Sequence, residues 1–582
     1  MKSLKKLNKY FFRYKFKIIL GIIFILFSNA AQVYIPILLK DSIDALKENI
    51  SFDLIIKYAI LIVAVAIVGG VFRFLIRTTI IIVSRKIEFD LRSDLWEHIQ
   101  KLPTKFFQNN STGNLMAHAT NDISAVRMYI GPAVMYSIDT VSKFIIVIVI
   151  MISLNPMLTL YTLIPLPLLS YFVYKLSKKI HTRFTLIQEK FSELTTKAQE
   201  SFSGIRVVKS YVREENEIKH FTKLSNDYLL RNMEKVKIQA WFMPMLFMIT
   251  GISVIIVVWI GGSMVIEKTM TLGEIMAFVA YLGLLIWPVI AFGWVLNIIQ
   301  QAEASMKRLM KIFSEKDDIY ESSEINDSIA QIDGKIEFKN VSFKYGQNNN
   351  EVLKNISLEI NKGETVAIIG HTGSGKTSLI NLIPRLFDTT SGELLIDGNN
   401  VKEIPKEVLR KNIGLVAQET FLFSDTLLNN IGYGLEVIDN KVIENVAEIS
   451  QLKKDLDSFK AGYETILGER GITLSGGQKQ RTSLARALAI NPKILILDDS
   501  FSAVDTNTEE EILTKLKEFM QNRTSIIISH RISTVKNADK IIVLENGVIA
   551  EQGTHDELVE LNGIYADLFT KQLLEEELKE IE

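Results

Sequence analysis

Apolar residues are spread unevenly along this chain. They fill runs near 17–39, 54–83, 131–153, 157–176, 240–266 and 272–299. Each run is long enough to cross a hydrocarbon core roughly 30 Å thick. From about residue 316 the pattern changes to that of a mixed, charged, soluble domain. Two polar, helix-forming stretches, near 84–130 and 177–235, interrupt the spans. They are too long for turns and too amphipathic for disorder, so the membrane helices are expected to continue below the bilayer. Their short terminal turns, at 112–115 and 210–214, are the expected contact points for the soluble domain. The predicted organisation is a transmembrane region over 1–315, a linker over 316–334, a soluble domain over 335–572 and a tail over 573–582.

Charge orients the spans. Lys2, Lys5, Lys6, Lys9, Arg13, Lys15 and Lys17 lead into the first run with no acid among them, whereas Asp41, Asp44, Glu48 and Asp53 mark the next loop. Basic residues stay inside, so the N-terminus is expected in the cytoplasm and, after six spans, the soluble domain also. The expected location is therefore the cytoplasmic membrane, crossed several times. The first run exceeds a signal-peptide core and lacks a small-residue cleavage site. Asn155 and Pro156 predict a tight outer turn between spans three and four.

Composition adds exclusions. The 582 residues carry 66 basic and 66 acidic side chains, and this balance argues against a nucleic-acid partner held by bulk attraction. No cysteine is present, which excludes disulfides, thiolate metal sites and cysteine nucleophiles. Mean hydropathy is +0.20, high for a soluble protein.

Few charges lie inside the spans. Arg73 and Arg77 are one turn apart, about 30 Å from the outer end of span two at 1.5 Å per residue. Asp139 and Lys143 are one turn apart in span three. Arg73 and Asp139 are candidates for the wall of a substrate cavity; a packing pair, Asp139 with Lys143 or with Arg73, is the favoured alternative. Trp294, Asn297 and Gln301 share one face of span six by their three- and four-residue spacing, and are cavity candidates too.

The chemistry is concentrated in the soluble domain. A strand pattern, Thr365–Ile369, runs into Gly370, His371, Thr372, Gly373, Ser374, Gly375, Lys376 and Thr377, followed by Ser378 and a helix. This is the G-x-x-x-x-G-K-[ST] phosphate loop in its strand–loop–helix setting. Backbone N–H groups and the helix N-terminus cradle phosphates; Lys376 reaches the terminal phosphates and Thr377 offers its hydroxyl to Mg²⁺. A second aliphatic strand ends at Asp498, placed for the magnesium shell, with Asp499 behind it as the candidate catalytic base. A third ends at His530, placed to contact the γ-phosphate and order water. The fold class is thus six transmembrane α-helices with long cytoplasmic extensions, fused to a cytoplasmic α/β P-loop nucleotide-binding domain.

Leu474, Ser475, Gly476, Gly477 and Gln478 form the LSGGQ signature of ATP-binding cassette (ABC) proteins. The chain resembles a half-size ABC exporter over its whole length, and is most similar to the multidrug and lipid exporter group. The stretches 204–209, 271–274 and 304–308 are similar to recurring segments of that group. The resemblance implies ATP and Mg²⁺ as the nucleotide and metal. It implies that Tyr345 stacks on adenine and that Gln418 contacts magnesium and senses the membrane region. Segment 468–471 would face that region. The signature would complete the ATP site of a partner chain, and the loop with Asp505 would cross the dimer interface. Implied partners are a second half-transporter, membrane lipid and a hydrophobic drug, lipid or peptide. One position departs: where the family has Glu as base, this chain has Asp499, shorter by one methylene. This suits either a heterodimer with one weakened site, slightly favoured, or a slowly hydrolysing homodimer. The alternative from another class is an ATP-gated channel or a regulatory, weakly hydrolysing half.

Overall fold

The computed structural model describes residues 3–48, 52–316, 325–346, 350–456, 458–468 and 471–581. Residues 469 and 470, within the expected membrane-facing segment 468–471, lie outside that set. Two compact units emerge. The first is Met1–Gln100 with Thr112–Glu315; the second is Lys316–Glu582 with Lys101–Ser111.

In the first unit, six described helices are long and apolar enough to cross a membrane: α1 Lys15–Lys47, α2 Phe52–Gln100, α3 Thr112–Leu154, α4 Pro156–Ser203, α5 Glu214–Ile266 and α6 Leu272–Ser314. Five have at least 43 residues, or roughly 65 Å of helix at 1.5 Å per residue. That is about twice what a bilayer core needs, so the polar stretches are the expected continuations of the membrane helices. α1 also outruns its apolar run, continuing eight residues past Leu39 through the acidic positions Asp41 and Asp44.

Local rules explain the ends. Asn155 caps α4, its side-chain oxygen accepting from the Leu158 N–H at 2.9 Å, with Pro156 at the first helical position. Thr271 and Glu274 form a capping box at the start of α6. The Asp44 carboxylate adds a second tie there, accepting from Thr271 Oγ1 at 2.8 Å and the Gly273 N–H at 3.0 Å. Close approach between helices needs small residues. A Cβ on Gly131 of α3 would sit 2.6 Å from Ser84 Oγ of α2. The core of this unit gathers along α6, where Phe278, Tyr281 and Leu285 are fully buried with Val147, Met151 and Val257.

The second unit holds two sheets. A six-stranded sheet comprises β3 Thr365–Ile369, β6 Ile413–Val416, β7 Ile494–Asp498, β8 Thr524–Ile528, β9 Lys540–Glu545 and β10 Val548–Gly553, ordered β10-β9-β3-β8-β7-β6. Its pairs from β9 to β6 are parallel. A four-stranded antiparallel sheet comprises β1 Ile336–Phe343, β2 Leu353–Ile360, β4 Ser391–Ile396 and β5 Asn399–Asn400. Val366 and Ile368 of β3 share one core with Phe338 and Ile396 of the smaller sheet. β7 is buried at all five positions, as its continuous aliphatic run requires of a central parallel strand. Residues 573–581, within the stretch expected as a tail, continue helix Ile564–Ile581. Near the expected turn at 112–115, residues 112–117 are helical, and the segment grouped with this unit lies just before them, with a short helix at Thr104–Asn109.

Candidate functional site

Four parallel strands point their C-terminal ends the same way, and a residue expected in the site stands at or just after the end of each. The register pairs Val416 with Leu497, Asp498 with Ile528, and Ile368 with Ile528. The phosphate loop after β3, Asp498 at the end of β7, His530 after β8 and Gln418 after β6 therefore lie along one sheet edge. This is where ligands bind in open α/β sheets.

The loop backbone follows its glycines. Gly370 has φ +147°, and a Cβ there would stand 2.1 Å from the Leu544 carbonyl oxygen, so no other residue fits. Lys376 opens helix Lys376–Leu382. Its ammonium is buried and donates to the carbonyls of Gly370 at 2.8 Å and His371 at 3.0 Å. Burial depresses its pKa, an effect that Asp498 and Asp499 partly offset. Thr377 Oγ1 donates to Asp498 Oδ2 at 2.9 Å. Asp498 is 2% exposed; burial raises its pKa, the Thr377 bond opposes this, and the like charge of Asp499 adds to it. The two residues expected to share a metal are thus in contact, 121 positions apart in sequence.

The set fits a magnesium nucleotide. Ser374 Oγ is buried inside the loop with no hydrogen-bond partner among the described residues, an arrangement that awaits an acceptor. A hydroxyl and a carboxylate together are hard oxygen ligands of the kind magnesium takes. Tyr345 lies beside the loop: its hydroxyl is 3.0 Å from Ser378 Oγ, and its ring stands edge-on to Phe343 and Phe387.

Asp499 adopts a left-handed backbone, φ +48°, a conformation enriched in Asp. Its N–H donates to the Ile528 carbonyl at 2.9 Å, which ties it to the end of β8. His530 is exposed, two residues beyond. Its carbonyl accepts from Gln572 Nε2, while Gln572 Oε1 accepts from the Ile532 N–H at 2.8 Å. Gln572 and the buried Glu509, which holds Arg531 and Thr534, are supports that no local motif marks.

The signature stands apart from the phosphate loop. Ser475 caps helix Gly476–Ala489 in a reciprocal box with Gln478. Ser475 and Gly476 are exposed. Gln480 clips this helix to the Asp505 loop through Ser502 Oγ at 2.9 Å and the Ala503 N–H at 2.9 Å. Asp505 caps the next helix, accepting from the Thr508 N–H at 3.0 Å. Among the described residues, no hydrogen bond or ion pair joins 474–478 to 370–378.

Of the membrane candidates, Arg73, Asp139 and Asn297 divide between two cavities, and Trp294 and Gln301 line neither. One, of 410 Å³, is lined by Arg73, Arg77, Asp139, Lys143, Gln32 and Trp287 among others. Asp139 accepts from Lys143 Nζ at 3.3 Å. A second, of 690 Å³, takes Asn297 with Gln300, Lys178, His181 and apolar residues of α3, α4 and α6. Trp294 packs edge-on to Tyr136, which lines the first. The Asp122–Arg308 ion pair between α3 and α6, with His118 bonded to Asp122 at 2.6 Å, was not foreshadowed by spacing.

Comparison with known proteins agrees with this architecture. Residues 18–289 match the ABC transporter transmembrane region, and residues 353–502 match the ABC transporter family. The chain is 36% identical to "Multidrug resistance-like ATP-binding protein MdlA" of Buchnera aphidicola subsp. Schizaphis graminum over 575 residues, 98% of each chain. It is 34% identical to the "ATP-dependent lipid A-core flippase" of Syntrophus aciditrophicus, over 95% of this chain and 92% of that one. Its fold is shared with a bacterial Atm1-family ABC exporter solved with ATP bound, at a TM-score of 0.79 and 24% identity, covering 96% of this chain and 98% of that one.

Proposed function

This chain belongs to the ABC transporter family, as a multi-pass membrane protein with an ATP-binding domain on the same polypeptide, and we propose that it exports a hydrophobic or amphipathic substrate from the cytoplasmic membrane by alternating access. The observation that carries this reading is the Thr377–Asp498 contact beside the buried Lys376, on a chain whose six long helices enclose polar-lined cavities. Relatives named for multidrug resistance and for lipid A-core flipping support a drug or lipid as cargo.

Bound Mg²⁺ supplies positive charge at the terminal phosphates. In this reading Thr377 and Asp498 hold it, with Gln418 as a further ligand, while Lys376 holds the phosphates and Tyr345 the adenine. Asp499 takes the proton of the attacking water, and His530 orders that water. The exposed Ser475 and Gly476 and the half-buried Gly477 offer donors to the nucleotide of a second chain, so ATP joins two chains because the closed pair binds it better than either half. Residues 101–111, which follow α2 and precede α3 in sequence, group with the nucleotide unit.

A second reading rests on Asp499: a short base suits an ATP-gated channel, or a regulatory half that binds ATP and hydrolyses it slowly beside a competent, different half. Accumulation of a fluorescent apolar dye in proteoliposomes separates the readings. Uphill, ATP-dependent uptake that Lys376→Ala abolishes is expected of an exporter; dissipation of the gradient alone would establish a channel.

A further inference from the structure

We propose that the 410 Å³ cavity of the membrane region is a binding site for an amphipathic anion, a phosphate or carboxylate carried on an apolar body. Its role as a cargo site rests on the export reading; its preference for an anion does not.

The argument begins with charge. The cavity is lined by three cations, Arg73, Arg77 and Lys143, against one carboxylate, Asp139. Lys143 and Asp139 satisfy each other on α3. Arg73 and Arg77, one turn apart on α2, are both exposed and have no hydrogen bond or ion pair among the described residues. Two guanidinium groups borne one turn apart match the oxygens of a phosphate or carboxylate, which each can grip with two N–H groups. At about 30 Å from the outer end of span two, the arginines lie at the inner boundary of the hydrocarbon core, where a cation is tolerated and its charge stays available to a ligand.

A second copy of this chain does not supply the missing charge. Across the six apolar runs the only carboxylates are Asp139 and Glu274. Glu274 is spent in the capping box at the start of α6, where it accepts from the Thr271 N–H at 2.9 Å. Asp139 of a second copy would come with its own Lys143. The cation excess is therefore a property of the membrane region as a whole at this depth.

The rest of the lining suits an apolar body. Ile25, Ile76, Met135, Leu284 and Trp287 face the same space. Gln32 and Ser28 of α1 add neutral hydrogen-bonding groups. The ligand so described is a phosphate or carboxylate at Arg73 and Arg77 with a chain or ring system lying on the apolar side. The anion can be the cargo itself or a bilayer lipid whose headgroup the arginines reach.

The test uses the full chain in nanodiscs of phosphatidylcholine, titrated with dodecyl phosphate and with dodecyl maltoside as the neutral control of equal tail length. The charged probe is expected to bind about tenfold tighter or more. Arg73→Gln with Arg77→Gln should erase that preference, and Arg73→Lys with Arg77→Lys should keep most of it. If the Gln pair fails to fold, the Lys pair decides, because its preference must fall with added salt. Equal binding of both probes to the unaltered chain would overturn the proposal, as would a preference that the folded Gln pair, or salt on the Lys pair, leaves intact. Nanodiscs containing phosphatidylglycerol distinguish the sources: displacement of dodecyl phosphate by this lipid identifies a bilayer anion, and ATP-driven uptake of dodecyl phosphate identifies a cargo. Failure of uptake with the preference intact would refute the export reading alone; uptake of a neutral dye without the preference would refute the anion site alone.

Discussion

The nucleotide unit and the membrane unit place their chemistry by opposite means. In the nucleotide unit, the phosphate loop, Asp498, His530 and Gln418 stand at or just after buried aliphatic strands, and the parallel register of β3, β8, β7 and β6 brings the strand ends to one edge. Position in sequence becomes position in space almost directly. In the membrane unit, the cavity candidates sit singly or a few at a time on helices of 43 residues or more, and rotation about the helix axis decides what each one meets. Arg73 and Asp139 meet the same cavity, whereas Asn297 meets another and Trp294 meets an aromatic ring. A charge at the end of a strand identifies a site; a charge within an apolar helix only poses a question that packing answers.

The sharpest break of this contrast is Lys376→Ala. It removes the one ammonium buried in the loop, and ATP hydrolysis should fall by roughly 10³-fold, measured as phosphate release by the purified chain in lipid. Substitutions of Arg73 and Arg77, by contrast, should change which probes bind rather than whether ATP is used. Next in size is Asp499→Glu. If arm length limits the reaction, restoring one methylene should raise turnover by roughly 10- to 100-fold, read from kcat under saturating ATP. An unchanged kcat would remove Asp499 from the role of base.

Gln572→Ala should lower kcat about three- to tenfold with little change in KM for ATP, because it frees the backbone at and just after His530 without touching the phosphate loop. Gln572→Glu, which keeps only the acceptor toward Ile532, should fall between the two. A change in KM alone would indicate that the helix end serves packing. The smallest expected effect is one of pH. Burial and the neighbouring Asp499 raise the pKa of Asp498, and only the ionised carboxylate holds metal. Affinity for magnesium nucleotide should therefore weaken as pH falls toward that raised pKa. In Asp499→Asn the like charge is gone, so the loss should begin at a lower pH, as followed by titration of a fluorescent ATP analogue.

Legibility followed the same contrast. The six spans, the turn at Asn155 and Pro156, and the phosphate loop could be read from the chain because each depends on neighbours a few residues away. The continuation of α1 to Lys47 was less legible, since polar positions after an apolar run do not themselves stop a helix. The supports of the site were not legible at all. Gln572 lies 42 residues from His530, and Arg308 lies 186 residues from Asp122. Such pairs depend on how distant elements turn toward one another, and no local pattern encodes that. Asp499 was visible as an anomaly, but its left-handed backbone and its tie to the Ile528 carbonyl required the fold.

The separation of the signature from the phosphate loop makes the central claim that this chain carries two halves of two different ATP sites. ATPase activity measured together with particle mass, across a dilution series in the presence of MgATP, tests it most directly. Activity should reside in particles of two half-transporter chains and vanish as they dissociate. A single chain that hydrolyses ATP at an undiminished rate would contradict the account.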